Sequence, residues 1–230
     1  MEIDEFEFRG GQESMNGRHL FLTSSGLSNN MKKQFFDIIG KRPEDVKVLY
    51  IPTAGIETDG AREGLAICFD ELSLMGIRYE NILVYNLELI LSKNYKRTYS
   101  SYIKEPIMIT RLLTVEELKL FDVVFVSGGD SSVLCREMVR TGFDKVLEKA
   151  INNGLVYVGI SAGSMYAAGN LDNGLHIIKN SIIPHWNGAK LMELPSDKDE
   201  IKIVDGQRST CNGEGITACF IGKNWLYVFI

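Results

Sequence analysis

Short apolar runs of β type alternate with helical stretches over the first 168 residues, and this alternation limits the possible folds more than any other feature of the chain. Strands are predicted at 19–24, 46–51, 79–85, 122–126 and 155–158, and helices at 28–39, 61–75, 131–139 and 143–152. In the 61–75 stretch Leu65, Ala66, Phe69, Leu72 and Met75 recur at helical spacing, and Gly76 supplies the stop. Strands separated by helices return to a sheet in the same direction. The pattern therefore predicts an α/β fold, a doubly wound, mostly parallel sheet with helices on both faces. Beyond Ala168 the helical spacing ceases. Short strands at 174–178, 182–183, 201–204, 215–221 and 225–230, with hairpin-type turns at Asp205-Gly206 and Asn212-Gly213, predict an antiparallel C-terminal edge.

A length of 230 residues suits one large domain, able to bury on the order of 70 per cent of its unfolded surface. Residues 1–16 read as a disordered tail, with Met15 as an alternative initiator, and 17–230 as a single α/β domain. The start is acidic, whereas a secretory leader begins basic and then turns apolar. The net charge of −5, with the basic residues scattered, disfavours nucleic acid as a partner. The densest basic and aromatic stretch, Lys93 to Tyr99, lies in a segment, 86–113, that reads as an insertion packed on the surface. Thr114-Val115-Glu116-Glu117 after it is a capping-box pattern that opens a short helix. No apolar run approaches the roughly 18 residues of a membrane span.

Cys68, Cys135, Cys211 and Cys219 form no Cys-x-x-Cys pair, and none of the three histidines is close to one of them. They read as reduced, half-buried residues of a cytoplasmic protein, with no metal site.

The chemistry concentrates at Gly159-Ile160-Ser161-Ala162-Gly163, a Gly-x-Ser-x-Gly run directly after the apolar 155–158 strand and before the small-residue stretch 164–168. A sharp strand-to-helix turn of this kind lifts a serine Oγ above the sheet, and small neighbours let the backbone fold back tightly. The same turn aims the Ala162 amide at the place where a carbonyl oxygen becomes negative. The turn Ser127-Gly128-Gly129-Asp130 ends the 122–126 strand at the same sheet edge. The second oxyanion donor is expected to be a backbone amide of Gly128, Gly129 or Asp130, since the two glycines let the backbone approach a substrate and turn an N–H outward, and Asp130 can cap the following helix at the same time.

A nucleophilic serine needs a base within hydrogen-bond reach. His19 opens the first strand, far from that strand's carboxyl end, and reads as structural; His176 lies within the 174–178 run. His185 stands where an apolar strand ends, stiffened by Pro184, and is the expected base.

The Ser127-Gly128-Gly129-Asp130 turn, the elbow continued to Ser164, and Ile183-Pro184-His185-Trp186 together resemble the peptidase E (aspartyl dipeptidase) family of serine peptidases, which includes cyanophycinases. The Asp205-Gly206-Gln207 turn resembles that family's late hairpin, so the likeness covers residues 19 to 225. It implies a fold related to class I glutamine amidotransferases, with serine in place of their cysteine. It also implies hydrolysis of short peptides, in peptidase E itself dipeptides with N-terminal aspartate, without metal or cofactor. Ser161 is then the nucleophile, His185 the base, and Gly129 with Ala162 the oxyanion donors. The family's acid is a glutamate well downstream of the histidine. Here the stretch after Trp186 is short, and Asp197 is the first choice, with Glu193 and Asp172 behind it. A short peptide is the expected substrate, and a homodimer is left open. The shortness of the segment after His185 sustains one alternative, a non-catalytic binding or regulatory protein that keeps the fold without a working triad. An α/β-hydrolase esterase fits poorly, because the histidine follows the serine too closely. A glutamine amidotransferase fits worse, since the elbow lacks cysteine.

Overall fold

A computed structural model describes residues 18–27, 31–56, 63–91 and 107–185 in full, and 29–30, 61–62, 200–202, 216–221 and 224–229 as backbone. Strands β1 (Arg18–Thr23), β2 (Val48–Ile51), β3 (Ile82–Val84), β4 (Val123–Val126), β5 (Val156–Ile160), β8 (Ile216–Ile221) and β9 (Asn224–Phe229) form one sheet. Their spatial order is β3-β2-β4-β5-β1-β9-β8. Every neighbouring pair is parallel except β8 with β9. A second, two-stranded parallel sheet pairs β6 (Ser181–Ile183) with β7 (Glu200–Lys202).

The near-continuous apolar runs of the central strands follow from burial on both faces. Leu20, Leu22, Val124, Val126 and Tyr157 point to one side, where they pack with residues of α4 (Ser131–Thr141), α5 (Phe143–Asn152) and α6 (Ala162–Ala167). Phe21, Val123, Phe125, Val156 and Val158 point to the other, against α1 (Asn29–Ile39) and α2 (Ala61–Leu74). Phe35 of α1 lies edge-on to both Phe21 and Phe125, at centroid distances of 5.8 and 5.9 Å. The doubly wound arrangement is as the alternation predicts. The four-residue helix α3 (Val115–Leu118) carries the expected capping box, Thr114 with Glu117.

Three local expectations need correction. The 79–85 stretch opens with a 3₁₀ turn, Tyr79–Asn81, so only three residues of it join the sheet. Residues 174–178 form no strand; His176 has φ of 49°, outside the extended range that ladder pairing needs. The C-terminal edge is antiparallel as expected, through β8 and β9, and β9 joins the sheet parallel to β1. The segment 86–113 is rooted in the core: Leu87, Ile90 and Leu113 are buried, and Arg140 of α4 donates to the carbonyls of Leu87 and Ile90 at 2.8 and 3.1 Å. Residues 92–106, with the basic and aromatic stretch, lie outside the described residues. So do the 1–16 segment and the Asp205-Gly206 and Asn212-Gly213 turns.

Candidate active site

Parallel strands present their carboxyl ends at one edge, and three adjacent ones build the site. Thr23 of β1 lies in register with Ile160 of β5, and Val126 of β4 with Gly159. Ser161 follows β5 directly, with φ of 48° and ψ of −103°, a conformation that costs an L-residue about 1–3 kcal/mol. Close packing beneath the turn holds it. A Cβ on Gly159 would come 2.7 Å from the Gly163 carbonyl carbon, and one on Gly163 would come 2.3 Å from the Val126 oxygen. Only glycine permits strand and helix to approach so closely.

Polar residues brace the same turn from below. The buried Ser164 hydroxyl lies 2.7 Å from the Thr23 oxygen and 2.8 Å from that of Gly159, while accepting from the Thr23 amide at 2.9 Å. The Ser161 amide donates to the Thr23 carbonyl at 2.8 Å. The Tyr157 hydroxyl, wholly buried, donates to the Gly163 carbonyl at 2.6 Å. Burial holds its proton on, pushing the phenol well above its ordinary pKa.

His185 reaches this turn from the end of β6. Its Nε2 lies 3.0 Å from Ser161 Oγ, within hydrogen-bond reach. Its backbone has φ of 57°, and its amide donates to Ser24 Oγ at the end of β1. Asn170 clamps β6 by a reciprocal pair: its amide nitrogen donates to the Ile182 carbonyl at 2.8 Å and its oxygen accepts from the Ile182 amide at 2.7 Å. The sequence reading missed Thr23, Ser24, Tyr157, Ser164 and Asn170. The one available signal was Ser164, a hydroxyl directly after the glycine that closes the elbow.

The glycine turn after β4 stands beside the serine. A Cβ on Gly128 would lie 3.2 Å from Ser161 Cβ, and Gly129, at φ of 130°, has no room for one against the Ala54 oxygen at 2.1 Å. The Asp130 amide donates to the Ala54 carbonyl at 2.7 Å, and its carboxylate accepts from the Ser132 and Val133 amides as N-cap of α4. Those hydrogen bonds hold its carboxyl below the ordinary aspartate range. Asp130 is thus occupied at both ends. Its amide is removed from the set of anion donors, which corrects the expectation that it shares that role. The Gly129 amide makes no hydrogen bond among the described residues. That of Ala162 sits at the first helical position, where no intrahelical acceptor exists.

Of the three acid candidates, Asp172 lies on an exposed turn, where its backbone carbonyl, 3.3 Å away, contacts His176 Nε2. Among the described residues no hydrogen bond or ion pair joins Asp172 to His185. Asp197 and Glu193 lie outside the described residues. His19 sits within β1, half-buried, and burial lowers its pKa, as a structural histidine would show. Cys68 is buried and free, its thiol pushed up to about 12 by that burial, and Cys135 is half-buried and free. Among the described residues no group of three or more His, Cys, Asp or Glu is placed to hold a metal, and no helix is long and apolar enough to cross a membrane.

Residues 109–200, which carry the glycine turn, the elbow and His185, match the model of peptidase family S51. Over that stretch the chain is similar to the peptidase E family. An uncharacterized peptidase of Pasteurella multocida is 26% identical over 112 residues, 41% of this chain and 52% of that protein. Peptidase E of Streptomyces coelicolor is 48% identical over 50 residues, 22% and 21% of the two chains. The chain thus spans about half the length, or less, of the curated relatives it matches. A crystal structure of a Listeria monocytogenes protein described as a peptidase E aligns with a TM-score of 0.51 at 20% identity, over 82% of this chain and 91% of that one. At that identity the likeness speaks for the peptidase E fold, which is glutamine amidotransferase-like.

Proposed function

We propose that this chain is a serine-type peptidase acting on short peptides, in the manner of a dipeptidase, with residues 17–230 as its single domain. The contact of 3.0 Å between Ser161 Oγ and His185 Nε2, on a strained elbow, carries the reading. In the reaction so proposed, Ser161 Oγ attacks the scissile carbonyl and passes its proton to Nε2. The oxyanion sits between the Gly129 and Ala162 amides. Collapse of the tetrahedral intermediate expels the amine, which takes the proton back from Nε2. Water, deprotonated by the same nitrogen, then releases the acyl group from Ser161 and restores the hydroxyl. Asp197 remains first choice for the group that orients the imidazole, ahead of Glu193.

The test is turnover of a dipeptide panel by the purified chain, with covalent labelling of Ser161 by a fluorophosphonate. An activated serine reacts with that reagent and an ordinary one does not. Ser161→Ala is expected to abolish both signals. Labelling absent from the native chain would favour the alternative, a binding protein that keeps the fold.

A further inference from the structure

Only Ile183 and Pro184 separate His185 from Ile182, the middle residue of β6, whose side chain is wholly buried. Both peptide groups of Ile182 are taken by one side chain, that of Asn170. A side-chain amide sets a donor beside an acceptor, so a single asparagine can fill the place of a neighbouring strand. We propose that Asn170 is a positioning residue for the peptidase reaction, holding the His185 imidazole over Ser161 through Ile182. The assignment rests on the serine peptidase reading and names a residue on which its dyad depends.

The place of Asn170 in the fold supports it. Ser161 opens α6, and Asn170 follows soon after that helix ends at Ala167. The chain returning toward His185 is fastened along the same end. The Leu175 amide donates to the Tyr166 carbonyl at 2.8 Å, and that of Ile177 to the Ala167 carbonyl at 2.9 Å. The Gly169 amide donates to the Asn180 carbonyl at 2.9 Å, and a Cβ on Gly169 would come 2.2 Å from the Lys179 oxygen. Asn170 then makes the last of these contacts before the histidine. Nucleophile and base are thus built on opposite ends of one short helix.

The backbone at His185 explains why such a hold is needed. Its φ of 57° lies in the left-handed region, which a histidine keeps only when its surroundings enforce it. The three residues of β6 make a short ladder with β7, at the lower limit for a strand. Pro184 has a fixed φ, so a shift at Ile182 passes on to His185 with little to absorb it. Ser24 fastens the chain after the proline, at the His185 amide, and Asn170 fastens it before the proline. A displacement of about 1 Å at a reacting group can cost about a hundredfold in rate.

Two variants test the assignment. Asn170→Ala removes both hydrogen bonds. Asn170→Asp keeps the size and an acceptor for the Ile182 amide, but sets a carboxylate oxygen against the Ile182 carbonyl, and it serves should the alanine variant fail to fold. Each is expected to lower kcat on the best dipeptide about tenfold to a hundredfold, with KM within about threefold of the parent. The rate of Ser161 labelling by a fluorophosphonate should fall alike. In a His185→Ala background the same substitution should alter labelling by less than about twofold, because the ring it positions is already gone. A full further loss there would mean that Asn170 supports the elbow itself, and would overturn the proposal. The chain has three histidines, so their ring signals can be followed by NMR. That of His185 should shift in Asn170→Asp while that of His19 stays. Unchanged kcat, labelling and His185 signal would also overturn the assignment. A native chain that neither cleaves peptides nor labels would count against the peptidase reading alone, with the His185 signal still deciding whether Asn170 holds the ring.

Discussion

The backbone amide of His185 donates to the hydroxyl of Ser24, 161 residues earlier, so the loop carrying the imidazole is tied to the end of β1. Ser161 is tied to the same strand end, through its own amide and the Thr23 carbonyl. The two members of the candidate dyad thus share one anchor. Their 3.0 Å separation follows from where β1 stops, more than from the residues that touch it directly.

Loss of that anchor should show in rate before stability. Ser24→Ala leaves the His185 amide without its partner, in a place that water can reach. It is expected to lower kcat about tenfold to a hundredfold by letting the imidazole drift, with KM little changed. Steady-state kinetics on the best dipeptide, with a thermal melt alongside, checks the split.

Ser164 should behave in the opposite way. Its hydroxyl, fully buried, holds the Thr23 amide and two carbonyls together. Ser164→Ala leaves the buried Thr23 amide without its acceptor, takes one donor from the Thr23 and Gly159 carbonyls, and is expected to cost about 2 kcal/mol. Urea denaturation measures this directly, and a loss under about 0.5 kcal/mol would contradict the bracing role.

Gly129→Ala combines two penalties. The residue adopts φ of 130°, and the new methyl would meet the Ala54 oxygen at 2.1 Å. The 53–55 turn cannot yield easily, since Thr53 is buried and its Oγ1 accepts from the Leu87 amide at 3.0 Å. Destabilisation of about 3 kcal/mol or more is expected, together with loss of turnover. A variant that folds as stably as the parent would show that the turn is softer than its contacts imply.

Acid should weaken the chain through Glu117. Hydrogen bonds from the Arg111 guanidinium and from Thr114 hold its carboxyl down at about 2. A pKa lowered in the folded state gives stability that is complete above the unfolded glutamate value, about 4.3, and is lost as pH falls toward the folded one. The gap in urea midpoint between wild type and Glu117→Gln should therefore hold from pH 7 to about 4.5 and close below it. Because the pair lies at the surface and is screened, the gap should also shrink in high salt.

How far these features were legible depended on the distance over which each signal acts. The elbow, the Gly128-Gly129 turn and the Thr114 box are local: glycine tolerance, helix spacing and capping act within a few residues, and all three stand where they were expected. The 174–178 stretch misled because an apolar run satisfies a strand pattern equally well when it is buried irregularly. Ile177 and Ile178 are covered by the core without any ladder. Asp130 misled for a related reason. Its position in the turn suggested an amide aimed at substrate, whereas Ala54, 76 residues earlier, already accepts from it.

By itself the order of residues determined the doubly wound sheet, the serine on its elbow and the histidine at a strand end, because periodicity and turn chemistry are properties of neighbours along the chain. Tertiary structure alone decided that Ser24, Thr23 and Ser164 hold the dyad and that Asp130 is withdrawn from the anion site. Those are contacts between strands and helices far apart in sequence. Their partners are chosen by packing and by the need to satisfy buried polar groups, neither of which leaves a local pattern to read.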